Sequence, residues 1–219
     1  MDLDKAIRER RTVRRYLPED IPEKELRKII DAANHAPSAC DLQAWRFIII
    51  RDKDIMRKIM EMDAPAFIQE APLGILVLYD NRSDNVEYND HIQSASAAIQ
   101  NMLLTAHSMD IGCCWICHLP PKRQLRKLLD IPWNYDPIAY ISMGYHDKMP
   151  AARKRKKGYE ELVSKERFAL DEKVPGRADP VRMIKRISRW VYYRLPFRKH
   201  IRKPVNKVFE KKFEDERQR

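Results

Sequence analysis

The sequence predicts an α+β fold built on about four buried strands, and three observations carry that prediction. Four short apolar runs rich in β-branched or aromatic residues have strand length and no clean alternation, as strands covered on both faces do: RFIIIRD (46–52), PLGILVLYD (72–80), CCWICHL (113–119) and PIAYISMGYHD (137–147). Between them lie segments whose apolar residues recur at helical spacing. Only five glycines and no internal repeat occur in 219 residues, so the chain is neither collagen-like nor low-complexity.

Residues 2–10 read as a short helix with Asp2 or Asp4 as its cap. The arginine-rich stretch RRTVRRY (10–16) and a turn marked by Pro18 and Pro22 follow. Residues 22–35 form a second helix, with Pro22 suited to its first turn and Leu26, Ile29, Ile30 and Ala33 at helical spacing. APSACDLQAW (36–45) is a loop of small and polar residues leading into the first strand. A helix over 53–62 separates it from the second strand. The longest helical pattern, 88–109, has small and apolar residues on more than one face, which places it centrally. Gly112 breaks it before the third strand. PPKRQLRKLLDI, from residue 120, is a helix opened by proline, and the fourth strand follows. PAARKRKKG (150–158) is a basic loop, and YEELVSKERF closes the compact part.

Charge divides the chain. Residues 1–172 carry 27 Lys/Arg and 27 Asp/Glu, net zero, whereas residues 173–219 carry 16 and 5, so the whole excess of +11 sits in the last 47 residues. The start is charged and lacks the apolar run of a secretory signal. No stretch of about 18 uncharged apolar residues spans a membrane. The expectation is a cytoplasmic protein with reduced thiols.

Three of the four cysteines fall within GCCWICHLP (112–120). Cys114-x-x-Cys117-His118 matches a haem-attachment pattern, and any C-x-x-C admits a redox or zinc reading, the latter requiring Cys40 or His107 to come close. Against these stands the simpler reading of buried strand cysteines acting as small hydrophobes. His35, His91, His107 and His118 read as surface or packing residues rather than catalysts, and Trp45 and Trp115 as core or interface aromatics.

Arg10, Arg11, Thr12, Arg14 and Arg15 crowd six positions. Such a run is either a solvated basic stretch or an anion clamp, since guanidinium forks match phosphate oxygens and a threonine adds a donor. On an extended segment Arg10, Thr12 and Arg14 point one way and could grip one ligand.

With these residues in place the chain resembles the FMN-dependent nitroreductase family. RRTVRRY is similar to that family's arginine-rich opening, and APSACDLQAWRFIII to its loop A-P-S-x-x-N-x-Q-P-W and first strand. AIQNMLLTAHSMDIGCCWI resembles its central helix and following strand, ISMGYHD its last core strand, and PAARKRKKGYEELV its closing basic loop and helix. The resemblance covers roughly residues 3–168 and rests on the order and spacing of five segments together.

The resemblance implies a three-layer α/β/α fold with a central, mainly antiparallel sheet of four to five strands, an obligate homodimer, and two FMN sites at the subunit interface. Arg10, Arg11, Thr12 and Arg14 would hold the ribityl chain and phosphate. Pro37, Ser38, Ala39, Cys40 and Asp41 would come from the other subunit and cover the flavin ring, with Gln43 nearby. Arg153 and Arg155, spaced as in the family's P-x-K/R-x-R, would complete the phosphate site. Ile116 and Cys117 would pass beside the ring, Cys117 standing where the family has glycine, which leaves a redox role for Cys117 or Cys40 open. Two further departures are Asp41 for the usual asparagine and Ala44 for the usual proline. An ionised Asp41 accepts but does not donate, and so disfavours an anionic reduced flavin.

The implied activity is NADH- or NADPH-driven, FMN-dependent reduction of nitro compounds, quinones or similar small acceptors. No side chain is assigned as catalytic and no metal is expected. The alternatives are a flavin-binding module recruited by its tail, and another chemistry of the superfamily fed by a protein electron donor.

Residues 1–170 form the FMN-binding domain in this reading, and 171–219 a basic amphipathic extension. Val181, Ile184, Ile187, Trp190 and Val191 keep helical spacing there until Pro196 and Pro204. The extension packs on its own dimer, lies on an anionic membrane surface with the protein peripheral to it, or meets an acidic protein; no nucleic-acid motif is present.

Overall fold

A two-turn helix, α1 (Leu3–Glu9), opens the chain, capped by the Asp2 carboxylate, which accepts from the Lys5 N–H at 2.9 Å. In order follow α2 (Glu23–Asn34), β1 (Trp45–Ile50), α3 (Lys53–Glu61), β2 (Leu73–Asp80), α4 (Asp90–Ser108), β3 (Gly112–Ile116), α5 (Lys122–Leu129) and β4 (Tyr135–Gly144). The computed structural model describes residues 1–62, 64–82 and 87–168, together with Pro180, Met183, Ile184, Ile187, Ser188 and Val191. The chain divides into two compact units, Met1–Lys154 and Arg155–Arg219. The breaks expected at Pro196 and Pro204, and the expected domain boundary at 170/171, lie outside the described residues.

In the first unit the four strands pair antiparallel in the order β1-β2-β4-β3. Each face of the sheet has its own core. Leu26, Ile29 and Ala33 of α2 and Ala98, Ile99 and Met102 of α4 pack with Leu73, Ile75 and Val77 on one side. Met56 and Ile59 of α3 and Leu125 of α5 pack with Leu76, Leu78 and Tyr140 on the other. The result is the α/β/α sandwich the resemblance implies. Burial from both sides explains why β2 reads as an unbroken apolar run.

Four expectations need correction. RFIIIRD is not a buried strand: β1 lies at the sheet edge, Arg46 and Ile49 are exposed, and only Trp45 and Ile50 are buried. The third strand ends at Ile116, short of the Pro120–Pro121 pair, so Cys117 is exposed beyond it rather than packed within it. Tyr159 begins a single turn, closed by the Leu162 and Val163 N–H groups on its carbonyl, not a closing helix. Finally α4 buries one broad stripe, from Ser94 and Ala95 through to Ala106 and His107, while Ile92 and Gln100 remain exposed.

Pro137 sits inside β4, a central strand, where a residue without an N–H is normally excluded. The register slips there: Val77 faces Ala139 and Leu78 faces Pro137, so a bulge absorbs the missing donor. At the start of β4, Asp136 accepts from Lys122, Arg126 and Asn81, which ties α5 to the sheet.

Gly74 in β2 lies beneath the Tyr140 ring, and a Cβ there would stand 1.7 Å from the Tyr140 hydroxyl oxygen and 2.2 Å from its ring carbon Cζ. Tyr140 is fully buried and has nowhere to move. Gly74→Ala is therefore expected to destabilise the protein by about 2 kcal/mol through overpacking, read as a lower urea midpoint. An unchanged midpoint would contradict this packing.

Candidate functional site

The predicted site residues fall into two groups at opposite ends of α4. The first is the arginine segment. After α1 the chain runs along the outer edge of β3, where the Val13 N–H donates to the Cys113 carbonyl at 3.0 Å and Thr12 bridges Cys113 in a parallel sense. That approach needs Gly112 without a side chain, since a Cβ would meet Val13 Cβ at 2.8 Å and His146 Cδ2 at 2.6 Å. The Tyr16 hydroxyl holds the far end, donating to the Val13 carbonyl at 2.7 Å with Ser142 Oγ at 2.8 Å. The Leu17 N–H reaches the Tyr145 carbonyl at 2.9 Å.

The arginines are used differently. Arg11 Nη1 donates to the Arg8 and Arg10 carbonyls at 2.6 and 2.8 Å, satisfying acceptors left over where α1 ends. Arg14 places its guanidinium 5.7 Å from the centre of the Phe67 ring, a cation–π contact. Arg10 and Thr12 are half-buried, and their side chains make no hydrogen bond within the described residues. Arg10, on the α4 side of the sheet, and Arg14, over Phe67, do not share one direction. The segment makes a single bridge to β3 and then turns back, so strict strand alternation does not apply.

Arg10 also lies close enough to α4's last turn to act on His107. That residue is buried, and its Nε2 has no partner among the described residues. Burial first, then the Arg10 charge, lower the His107 pKa below the usual imidazole value; His146 adds to the lowering, and Asp110 and Glu9 oppose it.

The second group is the loop Pro37–Gln43. It contains a 3-10 turn, Ala39–Asp41, and three non-glycine residues with left-handed backbone: Cys40 (φ 50°), Asp41 (φ 53°) and Gln43 (φ 46°). Each such residue costs on the order of 1 kcal/mol, and the strain persists only where surroundings over-determine it. Here they do. The Ala39 N–H donates to Ser94 Oγ at 3.0 Å, the Gln43 N–H donates to Ser38 Oγ at 3.0 Å, and Gln43 Nε2 donates to Asp41 Oδ1 at 2.7 Å. Ser94 is held in turn by the Asp90 carbonyl at 2.9 Å. Pro37, Cys40, Asp41 and Gln43 are exposed; Ser38 and Ala39 are half-buried.

Ser94 and His107 are thirteen positions apart on α4, about 20 Å at 1.5 Å per residue. One protomer therefore does not bring the arginine segment and the strained loop together.

Of the remaining predicted residues, Ile116 is buried at the end of β3 and Cys117 is exposed after it. Arg153 and Arg155 are both exposed, Arg153 in the first unit and Arg155 in the second. Cys113 and Cys114 are buried, as small strand hydrophobes should be, and burial pushes the Cys113 thiol well up; none of the four cysteines is in a disulfide. No three His, Cys, Asp or Glu side chains among the described residues converge as a metal site.

Sequence reasoning missed Ser94 as the loop's clamp, because a serine inside a helix carries no mark of a tertiary partner.

The Nitroreductase family model matches residues 7–70 and 63–145. A provisionally named NADH dehydrogenase/NAD(P)H nitroreductase of Methanothermobacter thermautotrophicus is 35% identical over 157 residues, 70% of this chain and 82% of the relative. An FMN-dependent nitroreductase structure from Clostridium difficile superposes with a TM-score of 0.67 at 26% identity, covering 76% of this chain and all of that one. A provisionally named nitroreductase from Desulfovibrio desulfuricans, solved in complex with FMN, is 30% identical with a TM-score of 0.61, covering 75% of this chain and 96% of that one.

The lowered His107 pKa has a consequence with a definite sign. The unfolded chain takes up a proton there near the ordinary value of 6.5, the folded chain only at lower pH. Stability therefore falls as the pH drops below 6.5. Urea midpoints followed from about pH 7.5 to about pH 5.5 are expected to fall in the wild type and to fall less in His107→Gln; parallel profiles would contradict a buried neutral His107.

Proposed function

The chain belongs to the nitroreductase family, and from that membership we propose that it is an FMN-dependent oxidoreductase drawing on NADH or NADPH. It delivers two electrons to a nitro compound, a quinone or a related small acceptor. The observation that carries the reading is the Arg10–Thr12 pair: half-buried donors whose side chains have no acceptor among the described residues, on a segment pinned to β3. Such an arrangement fits a phosphate and ribityl chain, because charge-assisted hydrogen bonds form without reorganising the backbone.

Bound FMN supplies the hydride chemistry. The chain's own residues bind it, orient it and exclude water. Arg10 and Thr12 grip the phosphate and ribityl end, with Arg153 adding charge, and Arg11 acts through the backbone, fixing the carbonyls on either side of the turn out of α1. The loop Pro37–Gln43 of a partner copy covers the ring, and Ile116 and Cys117 flank it. Asp41, in place of the family's asparagine, is an acceptor whose charge is partly answered by Gln43 Nε2. No catalytic side chain is assigned, because ring and backbone donors suffice for hydride transfer.

The 20 Å separation along α4 supports a homodimer with sites shared between subunits. The FMN-binding domain spans residues 1–170 in this reading, and 171–219 are an extension. No helix of the described residues is long and apolar enough to cross a membrane.

Purified protein is expected to carry the yellow flavin absorbance, to bleach on rapid mixing with NADH or NADPH, and to recover on addition of a nitroaromatic or a quinone. Flavin that neither nucleotide bleaches would contradict the nicotinamide-driven reading and favour a protein donor. Arg10→Ala should weaken FMN at least about thirtyfold while weakening riboflavin far less. Equal losses would remove the phosphate role.

A further inference from the structure

Neither the family match nor the proposed chemistry accounts for the last part of the chain. Pro180, Met183, Ile184, Ile187, Ser188 and Val191 are helical. Four of them are large, apolar and open to solvent: Met183 at 57%, Ile184 at 65%, Ile187 at 55% and Val191 at 43% exposure. At about 100° per residue, these four and Pro180 share an arc of about 100°. Read at the same spacing, the sequence alone would put Trp190 at the border of this stripe and Arg182, Lys185, Arg186 and Arg189 in the opposite phase. The surrounding segment, 173–219, holds sixteen Lys/Arg against five Asp/Glu.

We propose that this helix is a docking element for an anionic phospholipid surface, with the apolar stripe at the acyl boundary and the basic phase among the headgroups. Two requirements must be met at once, and this occupant meets both. The stripe needs an apolar medium, because four exposed large side chains on one arc are stabilised by leaving water. The basic phase needs negative charge, which an acidic leaflet supplies. A second copy of the tail covers the stripe but brings another +11 into contact. Nucleic acid answers the charge and leaves the aliphatic stripe without a partner. The alternation of four cations with the stripe excludes a spanning helix and suits one lying in the plane of the surface.

The test uses full-length protein and sedimenting vesicles of phosphatidylcholine alone or mixed with phosphatidylglycerol. Partitioning onto the anionic vesicles is expected to exceed that onto phosphatidylcholine by on the order of a hundredfold, and to weaken in high salt. Ile184→Ser/Ile187→Ser should lower it at least about tenfold with all charges kept, and Lys185→Gln/Arg186→Gln should lower it with the stripe kept. Equal partitioning on both vesicle types overturns the proposal, and so does indifference to the isoleucine substitutions. A change of oligomeric size in the isoleucine variant assigns the stripe to a second copy, and loss of single-stranded RNA binding in that variant assigns it to nucleic acid; either result overturns the lipid reading. Flavin absorbance is read on every sample, so a failure of the enzymatic reading is seen separately.

Discussion

The length of α4 is the constraint on which the rest of the molecule depends. Nineteen residues of helix hold Ser94, and through it the strained loop, at one end, and His107, beside Arg10, at the other. A rigid rod of this length keeps the loop and the arginine segment apart within one chain. In the proposed homodimer, a two-fold arrangement that sets two such helices antiparallel would return each loop to an arginine segment. Ile92 and Gln100, left exposed on the helix, are consistent with a face that a partner covers.

The two halves are prepared in different ways. The arginine segment is positioned by the sheet: it caps the outer edge of β3, and Gly112 leaves room for it. Arg11 takes the carbonyls at the end of α1, so Arg10 keeps its guanidinium for something else. The loop is positioned by side chains. Three residues in left-handed backbone would relax if released, and Ser38, Ser94 and Gln43 hold them by hydrogen bonds. Local strain of this kind is tolerated because the loop is tied to Ser94, a buried residue of α4.

Much of this was legible in the residues. The apolar runs located all four strands, Asp2, one of the two expected caps, caps α1, and the Pro120–Pro121 pair marks the start of α5, whereas Gly112 opens β3 rather than ending α4. The edge position of β1 was not legible, since an isoleucine run reads the same whether one face or two are covered until its neighbours are known. The length of the third strand was overread because Cys117 and Leu119 are apolar enough to extend the pattern, while strand pairing ends with β4's partners at Ile116. Positive φ at Cys40 and Gln43 could not be seen, because neither residue type favours that conformation. The separation of Arg10 from Arg14 was hidden for a related reason: alternation holds only along a paired strand, and this segment pairs at one residue. The split between the loop and the arginines was implied only by the family resemblance, because it rests on Ser94 holding the loop, a contact the sequence does not mark.

Complementation between two damaged chains tests the shared site most directly. One variant carries Arg10→Ala, which breaks the arginine half, and the other carries Ala39→Trp, which fills the loop half. Each alone should purify folded and with little flavin. Unfolded together and refolded as a mixture, they form heterodimers with one site intact and one doubly broken, and flavin occupancy should return to about a quarter of the wild-type value. A mixture as empty as its two components would contradict a site built from two chains.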